Sequence, residues 1–123
     1  MEAIVNLTQH NTTPEQKLDG VVDLPPEIAA EVRQLLTFDE IPSHLDMKNR
    51  AMKIAEIARV SGCQYAMIGG APWFMSILEK ELLEKDVVPC YSFSQRVVVE
   101  KTMKNGEVVK NSVFKHVGMI YYQ

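Results

Sequence analysis

The fold turns on the stretch Tyr65-Ala66-Met67-Ile68-Gly69-Gly70-Ala71-Pro72-Trp73-Phe74. Its first four residues read as a short buried strand. Two glycines break that pattern. Pro72 then suits the first position of a helix, where a missing N–H costs nothing. In α/β proteins such a junction turns unpaired helix-start amides toward a ligand.

Upstream, Ala3-Ile4-Val5-Asn6-Leu7 is a short apolar run and reads as a first strand buried on both faces. The polar loop Thr8-Gln9-His10-Asn11-Thr12 follows. Thr13 caps a short helix, with Pro14 at its first position and Gln16 placed to bond back to the cap. Gly20 ends that helix, and Val21–Leu24 reads as a second strand. Pro25 and Pro26 open another helix, whose Ile28, Val32, Leu35 and Leu36 share one face. Ser43 caps the longest helix, striped by Met47, Ala51, Ile54, Ala55 and Ala58, and Gly62 is its expected stop. Downstream, Met75, Leu78 and Leu82 line one face of the helix after Pro72. Val87–Phe93 reads as a strand. Arg96–Met103 and Val108–Phe114 read as a hairpin about Asn105-Gly106.

Strands alternate with helices until about Ser94, and the hairpin closes the chain. This order predicts one domain over residues 1–123. Its fold is α/β, a small Rossmann-like, mainly parallel sheet with helices on both faces and a C-terminal antiparallel hairpin at about 96–114.

Composition limits the function classes. Of 123 residues, 46% are hydrophobic and 24% charged, with a net charge of −3. Nothing in that balance draws the chain to duplex nucleic acid or an anionic membrane. Arg96, Lys101, Lys104, Lys110 and Lys115 form either a local basic patch or a solvated strand face whose lysines discourage aggregation. Cys63 and Cys90 belong to no C-x-x-C or zinc spacing, and read best as free thiols. No apolar run reaches the ~20 residues of a membrane span. A cytoplasmic protein is expected, without metal or cofactor.

Ligands of open α/β sheets bind beyond the carboxyl ends of the strands, where strand order reverses. If the first strand neighbours Tyr65–Ile68, the loops Thr8–Thr13 and Gly69–Pro72 share one crevice. Two helix starts facing it would favour an anion, phosphate above all. Gly69-Gly70 is neither G-x-G-x-x-G nor a Walker A loop, which disfavours nicotinamide cofactors and nucleoside triphosphatases. The pair serves either close backbone approach to a ligand or only a tight turn.

The side chains around this crevice also have alternatives. His10 acts as acid, base or phosphate donor, or is an exposed loop histidine. Asn6 binds a base or ribose, or satisfies a turn. Thr8, Thr12 and Thr13 hydrogen-bond phosphates or simply cap, Thr13 fitting a cap best, and Gln9 is a further ligand contact in the same loop. Ser92, Ser94 and Arg96 end a strand on the same side, and Arg96 pairs with phosphate or with a surface carboxylate. Trp73 and Phe74 stack on a base or pack. Adjacent in a strand, Lys115 and His116 must face opposite ways.

Asn6-Leu7-Thr8-Gln9-His10 and Gly69-Gly70-Ala71-Pro72, at two strand ends, resemble the small CRISPR-associated Rossmann-fold (CARF-like) proteins, including stand-alone ring nucleases of bacteria or phage. The resemblance implies a homodimer whose two crevices form one symmetric pocket for a cyclic oligoadenylate or another phosphate-bearing molecule. It implies metal-independent ring opening by each ribose 2′-hydroxyl. The phosphate would lie at Gly69, Gly70, Ala71 and the Thr8–Thr13 loop, with His10 or Arg96 stabilising charge on the phosphate or the leaving oxygen. A nucleotide sensor, a sponge that holds the ring intact, and an interaction protein without a ligand remain the alternatives.

Overall fold

The computed structural model describes residues 2–123. Local hydrogen-bonding signals start its helices. Thr13 Oγ1 accepts from Gln16 N at 3.2 Å, and Gln16 Oε1 accepts from Thr13 N at 3.0 Å, so the capping box opens α1 (Pro14–Leu18). α2 (Pro26–Leu35) opens on a proline. Ser43 Oγ accepts from Asp46 N at 3.0 Å and starts α3 (His44–Ser61). Gly62 stops α3 at φ 79°, the left-handed conformation that costs an L-residue about 1 kcal/mol or more. α4 (Pro72–Glu84) opens on Pro72.

The strands are β1 (Ile4–Asn6), β2 (Val21–Val22), β3 (Tyr65–Met67), β4 (Val88–Thr102) and β5 (Val108–Tyr121), in the spatial order β2-β1-β3-β4-β5. β2, β1, β3 and β4 run parallel, and β5 returns antiparallel to β4. The expected α/β class with its closing hairpin is present.

Three short strands form a stable sheet only because both faces are covered. On one face Val5, Leu7, Ala66 and Ile68 meet Val32 of α2, the Ala51/Ile54/Ala55/Ala58 stripe of α3, and Phe74, Leu78 and Leu82 of α4. The opposite face carries a smaller cluster of Ile4, Val21, Met67 and Cys90. Burial pushes the Cys90 thiol up to about 12, which keeps it protonated and unreactive. α1 lies over this second face, against β2 and β5.

The C-terminal strands differ from the sequence reading. β4 runs unbroken from Val88 to Thr102, where separate strands 87–93 and 96–103 were expected, while β5 runs on to Tyr121, residues from Lys115 extending the last strand as the sequence allows. No glycine or proline lies between Phe93 and Arg96 to stop it. A one-residue bulge at Val117 lets the pairing continue from Phe93↔Gly118 to Ser94↔His116. Asn105-Gly106 turns the hairpin as expected, with Gly106 at φ 86° and Met103 N donating to Glu107 O at 2.7 Å. Past Ser94 the two strands have no sheet neighbour and form an exposed arm.

Candidate functional site

The chain leaves β1 for β2 on one side, then crosses back to β3 on the other. Strand order therefore reverses between β1 and β3, where their carboxyl ends open a crevice. Asn6 pairs with Met67, and Leu7 N donates to Met67 O at 2.9 Å. A Cβ on Gly69 would lie 3.8 Å from Thr8 Cγ2. The threonine loop and the diglycine loop thus meet.

The two sides of β1 differ in how their polar groups are used. Asn6 is buried and spends its side chain internally. Its Nδ2 donates to His10 O at 2.7 Å, Asp23 Oδ1 at 2.9 Å and Thr12 Oγ1 at 3.2 Å, while its Oδ1 accepts from Thr8 N and Thr8 Oγ1. Thr12 Oγ1 donates to Asp23 Oδ1 at 2.6 Å. Asn6 and Thr12 therefore shape the loop from within, Thr13 is consumed by the cap, and Gln9 Nε2 reaches Thr37 Oγ1 at 3.3 Å. On this side a cavity of about 240 Å³ is lined by residues that include Thr8, His10, Asp23 and Arg33. The Thr12 hydroxyl, with help from the Asn6 amide and against partial desolvation, holds the Asp23 carboxyl below its ordinary 3.8. The lining thus carries both a carboxylate, Asp23, and a guanidinium, Arg33.

That depression has a consequence for stability. A carboxyl that releases its proton more readily when folded contributes stability above about pH 4, the unfolded range, and loses it as pH falls through the lower folded value. Thermal melts of wild type and Asp23→Asn should differ most above pH 4 and converge in acid. A gap that stays constant from neutral pH into acid would refute this role.

The β3 side is different. Among the described residues, no acceptor takes the amides of Gly69, Gly70 or Ala71. Gly70 holds φ 148°, a backbone that L side chains rarely adopt. Met67 pairs with Cys90 on β4, and Ile68 N donates to Cys90 O at 2.9 Å as the last bond before the diglycine loop leaves the sheet. Here the tertiary structure assembles a group not apparent from sequence spacing. His116 is buried, with its side chain 3% exposed. Its Nε2 lies 2.7 Å from Asp19 Oδ2 at the end of α1, and its Nδ1 2.5 Å from Ser92 Oγ. A carboxylate only accepts, so Nε2 carries the proton and Nδ1 accepts from the Ser92 hydroxyl. Gln16 Nε2 donates to the same Ser92 oxygen at 3.3 Å.

An oriented carboxylate, an imidazole and a half-buried hydroxyl in series can move a proton. Unclaimed amides at a neighbouring strand end are groups that can take up developing negative charge. Of the expected site residues, Thr8 meets the Gly69-Gly70-Ala71 loop, and Ser92 joins the histidine series with Ser94 Oγ 3.5 Å from Ser92 Oγ. His10 is exposed at the mouth of the β1 loop, and its ring has no hydrogen-bond partner among the described residues. Arg96 lies on the same sheet face, one row out on the arm, with its guanidinium 5.5 Å from the Phe114 ring centroid. Asp19 and His116 were not expected. The one sequence cue was parity, since Lys115 and His116 must face opposite ways. His116 is the one turned inward.

Among the described residues, no three His, Cys, Asp or Glu side chains group to hold a metal ion, and no helix is long and apolar enough to cross a membrane. The model of the uncharacterized protein MJ1673 family matches residues 2–119. No curated protein and no solved structure matches the chain.

Proposed function

We propose, for a chain that belongs to the MJ1673 family, that the crevice between β1, β3 and β4 opens a cyclic oligoadenylate without a metal, in a cytoplasmic homodimer. The reading rests above all on three unclaimed amides, Gly69 to Ala71, at the carboxyl end of β3, with the Asp19–His116–Ser92 series spanning the end of α1, β5 and the neighbouring strand β4. The resemblance to stand-alone ring nucleases supports the choice of substrate.

The steps follow from the chemistry of these groups. The amides hold a non-bridging phosphate oxygen. The ribose 2′-hydroxyl gives its proton to Ser92 Oγ as the Ser92 proton passes to His116 Nδ1. Asp19 balances the imidazolium that forms. The 2′-oxygen bonds to phosphorus and the bond to the 5′-oxygen breaks. That oxygen leaves as a hydroxyl, taking a proton from His10 or from water, with Arg96 offsetting charge on the phosphate. The products are a 2′,3′-cyclic phosphate and a 5′-hydroxyl. Holding nucleophile and phosphate in line supplies much of the acceleration in such a step.

The test is incubation with cyclic tetraadenylate and cyclic hexaadenylate in excess EDTA, followed by mass spectrometry of the products. Linear fragments ending in 2′,3′-cyclic phosphate are expected. Intact rings after prolonged incubation at stoichiometric protein would refute cleavage. Tight binding with intact recovery would identify a sensor or sponge instead.

A further inference from the structure

Charge is divided unevenly along this chain. Ser94 to Val117 holds five basic side chains and two acidic ones, a net +3, leaving −6 on the remainder of a chain whose total is −3. This segment is the β4–β5 arm, about 30 Å long at roughly 3.3 Å per residue. A two-stranded ribbon of this kind is marginal in water without a packing surface. One face of the arm is set by the pairs Val97↔Val113, Val99↔Asn111, Lys101↔Val109 and Gln95↔Lys115. It carries four exposed valines between two lysines, with no acidic residue on it.

A surface of complementary character lies at the same edge of the sheet. A groove of about 630 Å³ beside the start of α4 is lined by Phe38, Ile41, Met47 and Trp73, together with Asp39 and Glu40. Ile41 is 99% exposed and Trp73 50% exposed, while Phe38 and Met47 form a half-buried floor against the core. The chain's own arm does not cover it.

We propose that the valine face of the arm seats in this groove of a second copy, Lys101 and Lys115 meeting Asp39 and Glu40, and that a two-fold axis repeats the contact. The basic arm then lies on the acidic body of its partner, and apolar area leaves water on both sides. Each arm also passes the partner's diglycine loop, since Trp73 is the second residue of the helix that follows it. The contact extends the dimer of the proposed function, but it is read without any nucleotide, so failure of the interface and failure of ring opening register separately.

A charge exchange tests it by sedimentation velocity. The groove variant Asp39→Lys/Glu40→Lys has a basic groove and a basic arm. The arm variant Lys101→Glu/Lys115→Glu has an acidic groove and an acidic arm. Wild type is expected to be dimeric, each variant alone monomeric, and the equimolar mixture a heterodimer. Ile41→Asp, at a fully exposed position, should dissociate wild type by at least tenfold in Kd. A monomeric wild type, variants that stay dimeric alone, or a mixture that stays monomeric would each overturn the proposal. So would an arm that instead binds duplex nucleic acid as a monomer.

Discussion

His116→Gln and Ser92→Ala are each expected to slow ring opening by about 10²–10⁴-fold, the range lost with a general base. In the proposed mechanism Ser92 Oγ is the atom offered to the substrate, and His116, 2.5 Å from it, acts through it. Groups working in series lose their effect together, so the double variant should be little worse than either single one. Asp19→Asn tests the outer member. An amide at 2.7 Å from Nε2 can favour the wrong tautomer, which would place the proton on Nδ1 and leave Ser92 without an acceptor. A fall in kcat with KM nearly unchanged would place the loss in the chemical step. His116 is buried, so a melt must accompany each rate. Ser92→Ala, at a half-buried position, is the cleaner variant. Wild-type rates in both Ser92→Ala and His116→Gln would remove the proton relay from the mechanism.

Phe74→Ala carries the largest expected loss of stability, about 3–5 kcal/mol, as for other buried aromatic truncations. Phe74 is 1% exposed and belongs to the main core. It is also the third residue of α4, directly beyond the diglycine turn. Its ring meets Phe38 edge-on at 5.2 Å. Phe38 in turn meets Trp73 at 5.0 Å and takes Arg50 over its face at 4.3 Å. The cavity would therefore open under the wall that supports both the turn and the arm-receiving groove. In urea the midpoint should fall with the slope unchanged. Trp73→Ala, on the exposed side of the same cluster, should cost markedly less. A loss below 1 kcal/mol for Phe74→Ala would mean that this cluster does not anchor α4.

Much of the fold was legible because its signals are local. The Thr13–Gln16 box, the Ser43 cap, the Gly62 stop, Pro72 and the Asn105-Gly106 turn each act through bonds within a few residues. Each stands where the sequence put it. The length of β4 was less legible. The polar residues after Phe93 read as a break, but nothing in them prevents extension, and a partner strand with a bulge carries the pairing through.

The candidate site divides in the same way. Gly69-Gly70-Ala71 was visible as a turn with free amides. Asn6 and Thr12 read as ligand contacts, yet they face inward because Asp23, which Asn6 reaches across 17 residues, gives them partners. His116 meets Asp19 across 97 residues and Ser92 across 24. No spacing rule spans such separations.

By itself, the sequence determined the kinds of element, their order, their caps and turns, and the place where backbone amides would be left free. Hydrophobic period and short-range hydrogen bonding settle those matters within one or two turns of chain. Only the tertiary structure decided which loop ends meet, which polar groups satisfy one another and which serine has a histidine behind it. Those outcomes depend on sheet order and strand register, and a shift of one residue in register would turn His116 out to solvent.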